Sequence, residues 1–238
     1  MFYFLLNPIL TYSFILIAAA VIPAVFLLLR VYRTDRLERE SPRLLRRLVV
    51  MGVLSSLLAL LEERIFSAVL ASAVAADSPL YNVLLYFVVV AVSEESSKYL
   101  LLKRSTWKSP EFNCQYDGVV YAIFVSLGFA LWENISYVMN YGFRTAIVRA
   151  VTAIPGHACF GVFMGVFYGL ARKYENFGKP GAAKTCRVLS VLVPVGLHGA
   201  YDYIVTVDNT VGSWAFFGFI AILFFISYRI QQNWVFKK

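Results

Sequence analysis

Charge is scarce in this chain: 15% of its 238 residues are Asp, Glu, Lys or Arg, against roughly 25% in an average soluble domain. That leaves too little polar surface to cover a water-soluble core of this size. Cysteine is also scarce, with three residues and no CxxC pair, which excludes a disulfide framework and a thiol-redox motif. Histidine occurs twice. No periodic repeat, low-complexity tract or separate soluble domain interrupts the chain, so residues 1–238 read as a single membrane domain.

What the chain has instead is apolar length. It is 60% hydrophobic and 16% aromatic, with a mean hydropathy of +0.68. Runs of about 20 apolar residues are long enough to cross ~30 Å of hydrocarbon as helix. The expected fold is all-α, a polytopic membrane protein with seven spans near residues 9–29, 48–70, 80–102, 116–140, 146–171, 188–207 and 212–230. The first span lacks the basic leader of a signal peptide and is expected to stay attached.

The net charge of +8 does not call for nucleic acid, because the basic residues are sorted by loop. Arg30, Arg33, Arg36, Arg39, Arg43, Arg46 and Arg47 fall in the first loop, and Lys103, Arg104 and Lys108 in the third. Arg172, Lys173, Lys179, Lys184 and Arg187 fall in the fifth, and Arg229, Lys237 and Lys238 close the chain. Seven spans put all of these on one side and leave Arg144 and Arg149 on the other. The positive-inside rule then predicts a multi-pass protein of a bacterial-type cell membrane, N-terminus outside and C-terminus cytoplasmic. Cys114 and Cys186 are expected in cytoplasmic loops and Cys159 inside a span.

Against that apolar background the intramembrane polar residues need a reason. A carboxylate at mid-membrane costs roughly 2.5–3.5 kcal/mol on insertion scales, yet "AVSEESSKYLLLK" sets Glu94 and Glu95 side by side in the third span. At 100° per residue Lys98 falls angularly between them, one turn on, so a salt-bridged structural knot is one reading. The fourth span carries Glu133 and Asn134 and the fifth His157. The sixth carries His198 and Asp202 at i and i+4, where Asp202 can fix the histidine tautomer. Both histidines and four acids on four consecutive spans point to one shared polar centre.

His157, Gly161, Gly165 and Gly169 form a small-residue stripe for close helix packing. Pro155 and Pro194 are each expected to free a carbonyl beside a watered cavity. Glu62 and Glu63, followed at once by Arg64, read as structural or interfacial.

In order along the chain, "EESSK" fits EExxK, "FALWE" fits FxxxE, His157 stands alone in a span, and "HGAYD" fits HxxxD. This series resembles the PrsW family of intramembrane proteases, related to type II CAAX prenyl endopeptidases and bacteriocin-immunity-type proteins. It covers residues 80–207, the expected core helices. The resemblance implies first-site cleavage of a membrane-anchored regulator such as an anti-sigma factor. It implies catalytic roles for Glu94, Glu95, Glu133, His157 and His198, with Lys98, Asn134 and Asp202 in support.

The residue chemistry agrees with hydrolysis by water. There is no GxSxG, no GxGD-type aspartate pair and no intramembrane Ser–Lys pair, and Ser93, Ser96 and Ser97 read as packing. Without HExxH, a carboxylate-activated water is favoured and no cofactor is expected. The metal-dependent alternative would place zinc on His157, His198, Asp202 and Glu95. A proton-coupled transporter also uses intramembrane Glu, His and Asp, but no internal symmetry is found here. A non-catalytic scaffold binding transmembrane helices would keep the glycine faces without needing the acids. The expected partners are a membrane-anchored protein and the lipid bilayer.

Overall fold

The computed structural model describes residues 7–34 and 39–235, with side chains through residue 232; Arg36, Lys237 and Lys238 lie outside the described residues. Those residues are helical, with no strand among them. In order they form α1 (Pro8–Thr34), α2 (Pro42–Ala73), α3 (Pro79–Val83), a π-helical segment (Leu84–Val90), α4 (Ala91–Thr106), α5 (Gln115–Tyr141), α6 (Phe143–Val151), α7 (Ala153–Asn176), α8 (Pro180–Val205) and α9 (Thr210–Val235).

Among the described residues, six stretches are long and apolar enough to cross a membrane: Pro8–Thr34, Pro42–Ala73, Gln115–Tyr141, Phe143–Asn176, Pro180–Val205 and Thr210–Gln232. The remaining expected span, the third, is residues 79–106, a continuous rod of α3, π segment and α4. It is roughly 40 Å long, ample for a crossing, but its second half is rich in charge. Start and stop signals explain the boundaries. Ser41 and Ser78 cap α2 and α3 and are followed by Pro42 and Pro79 at the first helical position, where a missing N–H costs nothing. Gly142 (φ 83°) ends α5 and Gly178 (φ 66°) follows α7, conformations that favour glycine.

Helix α5 is the centre of the bundle, buried almost continuously from Tyr116 to Ala130. It packs against α7, α2 and α1, while α8 lies on α7, α4 and the π segment. Close approach is bought with glycine. A Cβ on Gly118 would lie 2.7 Å from the Gly169 backbone nitrogen, and one on Gly165 would fall on Val119 Cα. The His157–Gly169 stripe therefore does face another helix, α5. Gly52 and Gly128 do the same where α2 crosses α5. From that crossing α2 and α5 send their C-terminal halves to the end of the bundle away from the basic loops.

Thr152 breaks the fifth span into α6 and α7, and His157, in the second turn of α7, stays near the middle of the whole stretch Phe143–Asn176. Two expectations about position change. Pro155 falls in the first turn of α7, where its missing N–H is an orphan position anyway and frees no carbonyl of that helix; Pro194 is internal to α8. Cys186 is buried within α8 rather than in a loop, because that helix begins at Pro180.

Candidate active site

The polar residues of four helical rods meet on a single centre. Glu94, Glu95 and Lys98 share one face of α4, and Lys98 Nζ lies 2.7 Å from Glu95 Oε1 and 3.3 Å from Glu94 Oε2. The lysine is fully buried and also stands 3.9 Å above the Phe129 ring of α5. It donates to His157 Nδ1 at 3.1 Å. An ammonium has only donors, so this nitrogen accepts and the His157 proton is on Nε2. That N–H reaches Glu133 Oε2 at 2.8 Å.

His198 on α8 mirrors this arrangement. Its Nδ1 lies 2.9 Å from Glu95 Oε1 and 3.8 Å from Glu94 Oε2, and its Nε2 lies 3.4 Å from Asp202 Oδ2. His157 thus turns Nδ1 toward Lys98 and His198 turns Nδ1 toward Glu95, while each turns Nε2 toward an outer carboxylate. Phe160 stacks on His198 at 4.8 Å, and the two imidazoles are 5.3 Å apart.

The adjacent glutamates are not equivalent. The side chain of Glu94 is 7% exposed and lines a cavity of about 430 Å³, whereas Glu95 is 0% exposed behind it. The cavity runs between α2, the π segment, α5, α7 and α8, and its wall includes Glu133, His157, His198, Asp202 and Arg149. From Glu94, near the middle of the 79–106 rod, the cavity extends toward the end of the bundle away from the basic loops, where Tyr137, Arg149 and Thr206 line it.

Sequence reasoning missed two wall residues. Arg149, on α6, binds Glu133 Oε2 (2.8 Å) and Asn134 Oδ1 (2.9 Å) and lies over the Tyr137 ring. Counted only as a loop charge, it was in fact one of two basic residues on its side and eight before a buried histidine. Glu63 also lines the cavity, which corrects its reading as structural. Arg64 follows at once in sequence, but successive helical residues point 100° apart. Glu62 does have a packing role, accepting from Ser97 Oγ at 3.2 Å. Asn134 faces away from the cavity and ties α5 to Ala20 O of α1 at 2.8 Å.

The donors also fit a divalent cation. Glu94, Glu95, His157 and His198 each present a ligand atom within 4.8 Å of the others. Glu95 Oε2 is buried with no partner. Glu133 and Asp202 hold the far ring nitrogens, the carboxylate–histidine arrangement usual behind metal ligands. Glu94 thereby takes the place expected for Asp202, which lies on the outer side of His198. The HExxH signature describes donors on one helix; here they come from three, so its absence says nothing against a metal.

The fold and site define a polytopic membrane protein with a buried Glu/His centre. Residues 40–229 match the model of the PrsW family, described as intramembrane metalloproteases, and the chain belongs to that family. It is 33% identical to protease PrsW of Bacillus subtilis (strain 168) over 81% of this chain and 84% of that protein. Protease PrsW of Geobacillus kaustophilus is 36% identical over 80% of each chain, and that of Shouchella clausii 30% identical over 89% of this chain and 93% of its own. No solved structure matches the chain.

Proposed function

We propose that the chain cuts a membrane-anchored regulatory protein of the anti-sigma-factor kind, as the first of successive cleavages, in the outer half of the bilayer. One observation carries this reading: Glu94, His157 and His198, from three helices, share a cavity extending away from the basic loops. With those loops cytoplasmic, the cavity lies toward the outer surface.

Glu94 is the carboxylate that meets the cavity. It holds a water against the scissile carbonyl and takes one of its protons as the oxygen adds to carbon. The same proton passes to the departing nitrogen when the C–N bond breaks. Glu95 accepts from Lys98 and His198 and fixes both. Lys98 balances the acids from behind, and the developing oxyanion is met by positive charge in a dry site. Arg149 holds Glu133, Glu133 holds His157 Nε2–H, and the Nδ1 lone pair is kept turned inward. A divalent ion held by His157, His198 and the glutamates would supply Lewis acidity and a more acidic bound water.

The test compares membrane proteomes of cells carrying the native protein and Glu94→Gln. A single-span protein cut in the first and intact in the second supports the reading. Identical proteomes, together with no cleavage by purified protein in liposomes, refute it.

A further inference from the structure

Glu63 stands outside the Glu/His centre and outside every motif that led to it. Ser56, Leu60 and Glu63 recur at helical spacing and form the α2 wall of the cavity. The other wall carboxylates have partners: Glu94 has Lys98, Glu133 has Arg149 and His157, and Asp202 has His198. Among the described residues nothing hydrogen-bonds to Glu63 or pairs with it, and it is not among those with further interactions. Its carboxylate is still within electrostatic range of Glu133, His198, Lys98 and Asp202. When ionised, Glu63 is the one anion of the wall with no partner among the described residues.

Water in the open cavity can hydrate that anion. A substrate segment filling the cavity removes the water, and a desolvated carboxylate without a partner is strongly unfavourable. A substrate bringing its own cation escapes this cost, and one bringing a neutral side chain does not. That is how an enzyme discriminates by what a mismatched ligand leaves unpaired.

We propose that Glu63 is a specificity-determining residue that pairs with a lysine or arginine side chain near the scissile bond of the substrate. The assignment rests on the peptidase reading. The alternative, that Glu63 accepts from the substrate backbone, gives no preference for a basic residue.

The experiment uses full-length protein in nanodiscs and single-span peptides identical except for Lys or Gln at one position, scanned across the half-span that reaches the cavity. Binding is read by energy transfer and cleavage by mass spectrometry. At one or two adjacent positions the Lys peptide should bind at least about 10-fold tighter than its Gln counterpart. Glu63→Gln should reduce that preference to within about 2-fold by strengthening binding of the Gln peptide, whose neutral side chain no longer leaves a desolvated carboxylate unpaired, and that tighter binding also reports an intact fold. Glu63→Lys should shift the preference to a Glu peptide.

A Lys preference that survives Glu63→Gln, or no preference at any position in the native protein, overturns the proposal. If the peptides show the Glu63-dependent preference but are never cut, recognition by Glu63 stands and the peptidase reading fails. If they are cut without regard to charge, the Glu63 assignment alone fails.

Discussion

Glu94 and Glu95 are neighbours in sequence with different tasks, and substitution should separate them. Glu94→Gln should lower cleavage at least ~100-fold, with peptide binding and thermal stability near native. Glu95→Gln should lower cleavage as far and also destabilise the protein by about 3 kcal/mol, since Lys98 loses its closest buried partner. Equal stability of the two variants in thermal unfolding would refute this division. At the basic end, Cys114 is governed by local chemistry. Burial, then the hydrogen bond to Asp117 (Sγ to Oδ1, 2.8 Å), pushes its thiol up to about 12. The thiolate therefore forms only as pH approaches that value. At pH 8 Cys114 should resist maleimide, and Asp117→Asn should speed its labelling.

Much of this was legible, because intramembrane charge is costly enough to mark function by position alone. The i, i+3 and i+4 spacings of Glu94, Glu95 and Lys98, and of His198 and Asp202, predicted contacts that the structure contains. What hid Arg149 was its second meaning as a topology signal. What hid Glu63 was a neighbouring arginine that helical geometry turns elsewhere. The π segment had no signal at all. "LLYFVVV" reads equally as α-helix or strand, and its i→i+5 bonding, as in Ala91 N–H to Tyr86 O, follows from packing against α8.

That segment has a job for the rod that contains it. A π turn inserts residues without lengthening the helix in proportion, and so resets the face of everything after it. Phe87 packs into the gap left by Gly199, where a Cβ would lie 2.7 Å from its ring carbon Cγ, while Glu94 seven residues on must face the cavity. Deleting Val92, in the regular α-helix just after the segment, should rotate the rest of α4 by about 100° relative to the π segment. The product should insert normally and cleave nothing, measured by membrane fractionation alongside the peptide assay. Retained activity would show that the register is set elsewhere. On α7, Gly165→Val should force α5 and α7 apart. Overpacking costs about 1–3 kcal/mol, visible as a lowered Tm and weakened cleavage.

For the whole bundle, placing the cavity near the outer surface requires one orientation. In a chain whose three native cysteines are replaced by alanine, Asp77→Cys should be labelled by impermeant maleimide in intact cells. Lys179→Cys should be labelled only after permeabilisation. Both sites are exposed at opposite ends of the bundle, and the reverse pattern would place the cavity toward the cytoplasm. Metal dependence is testable on the same protein. Chelation should abolish cleavage and added zinc should restore it. His157→Ala and His198→Ala should lose bound metal by elemental analysis, whereas His157 tethering through Glu133→Gln should weaken it about 10-fold or more.

The fully buried ammonium of Lys98 bears on how such a protein is made. Small zinc domains are commonly unfolded until loaded, because their metal-binding free energy is also their folding free energy. Here a lysine within bonding distance of Glu94, Glu95 and His157 compensates the donors from inside the chain. On the metal reading, newly synthesised protein would therefore leave the insertion machinery already folded and collect an ion afterwards, from whichever side of the membrane supplies it. Biogenesis and activation become separate events, and a cell starved of metal would accumulate intact, silent enzyme rather than degraded fragments.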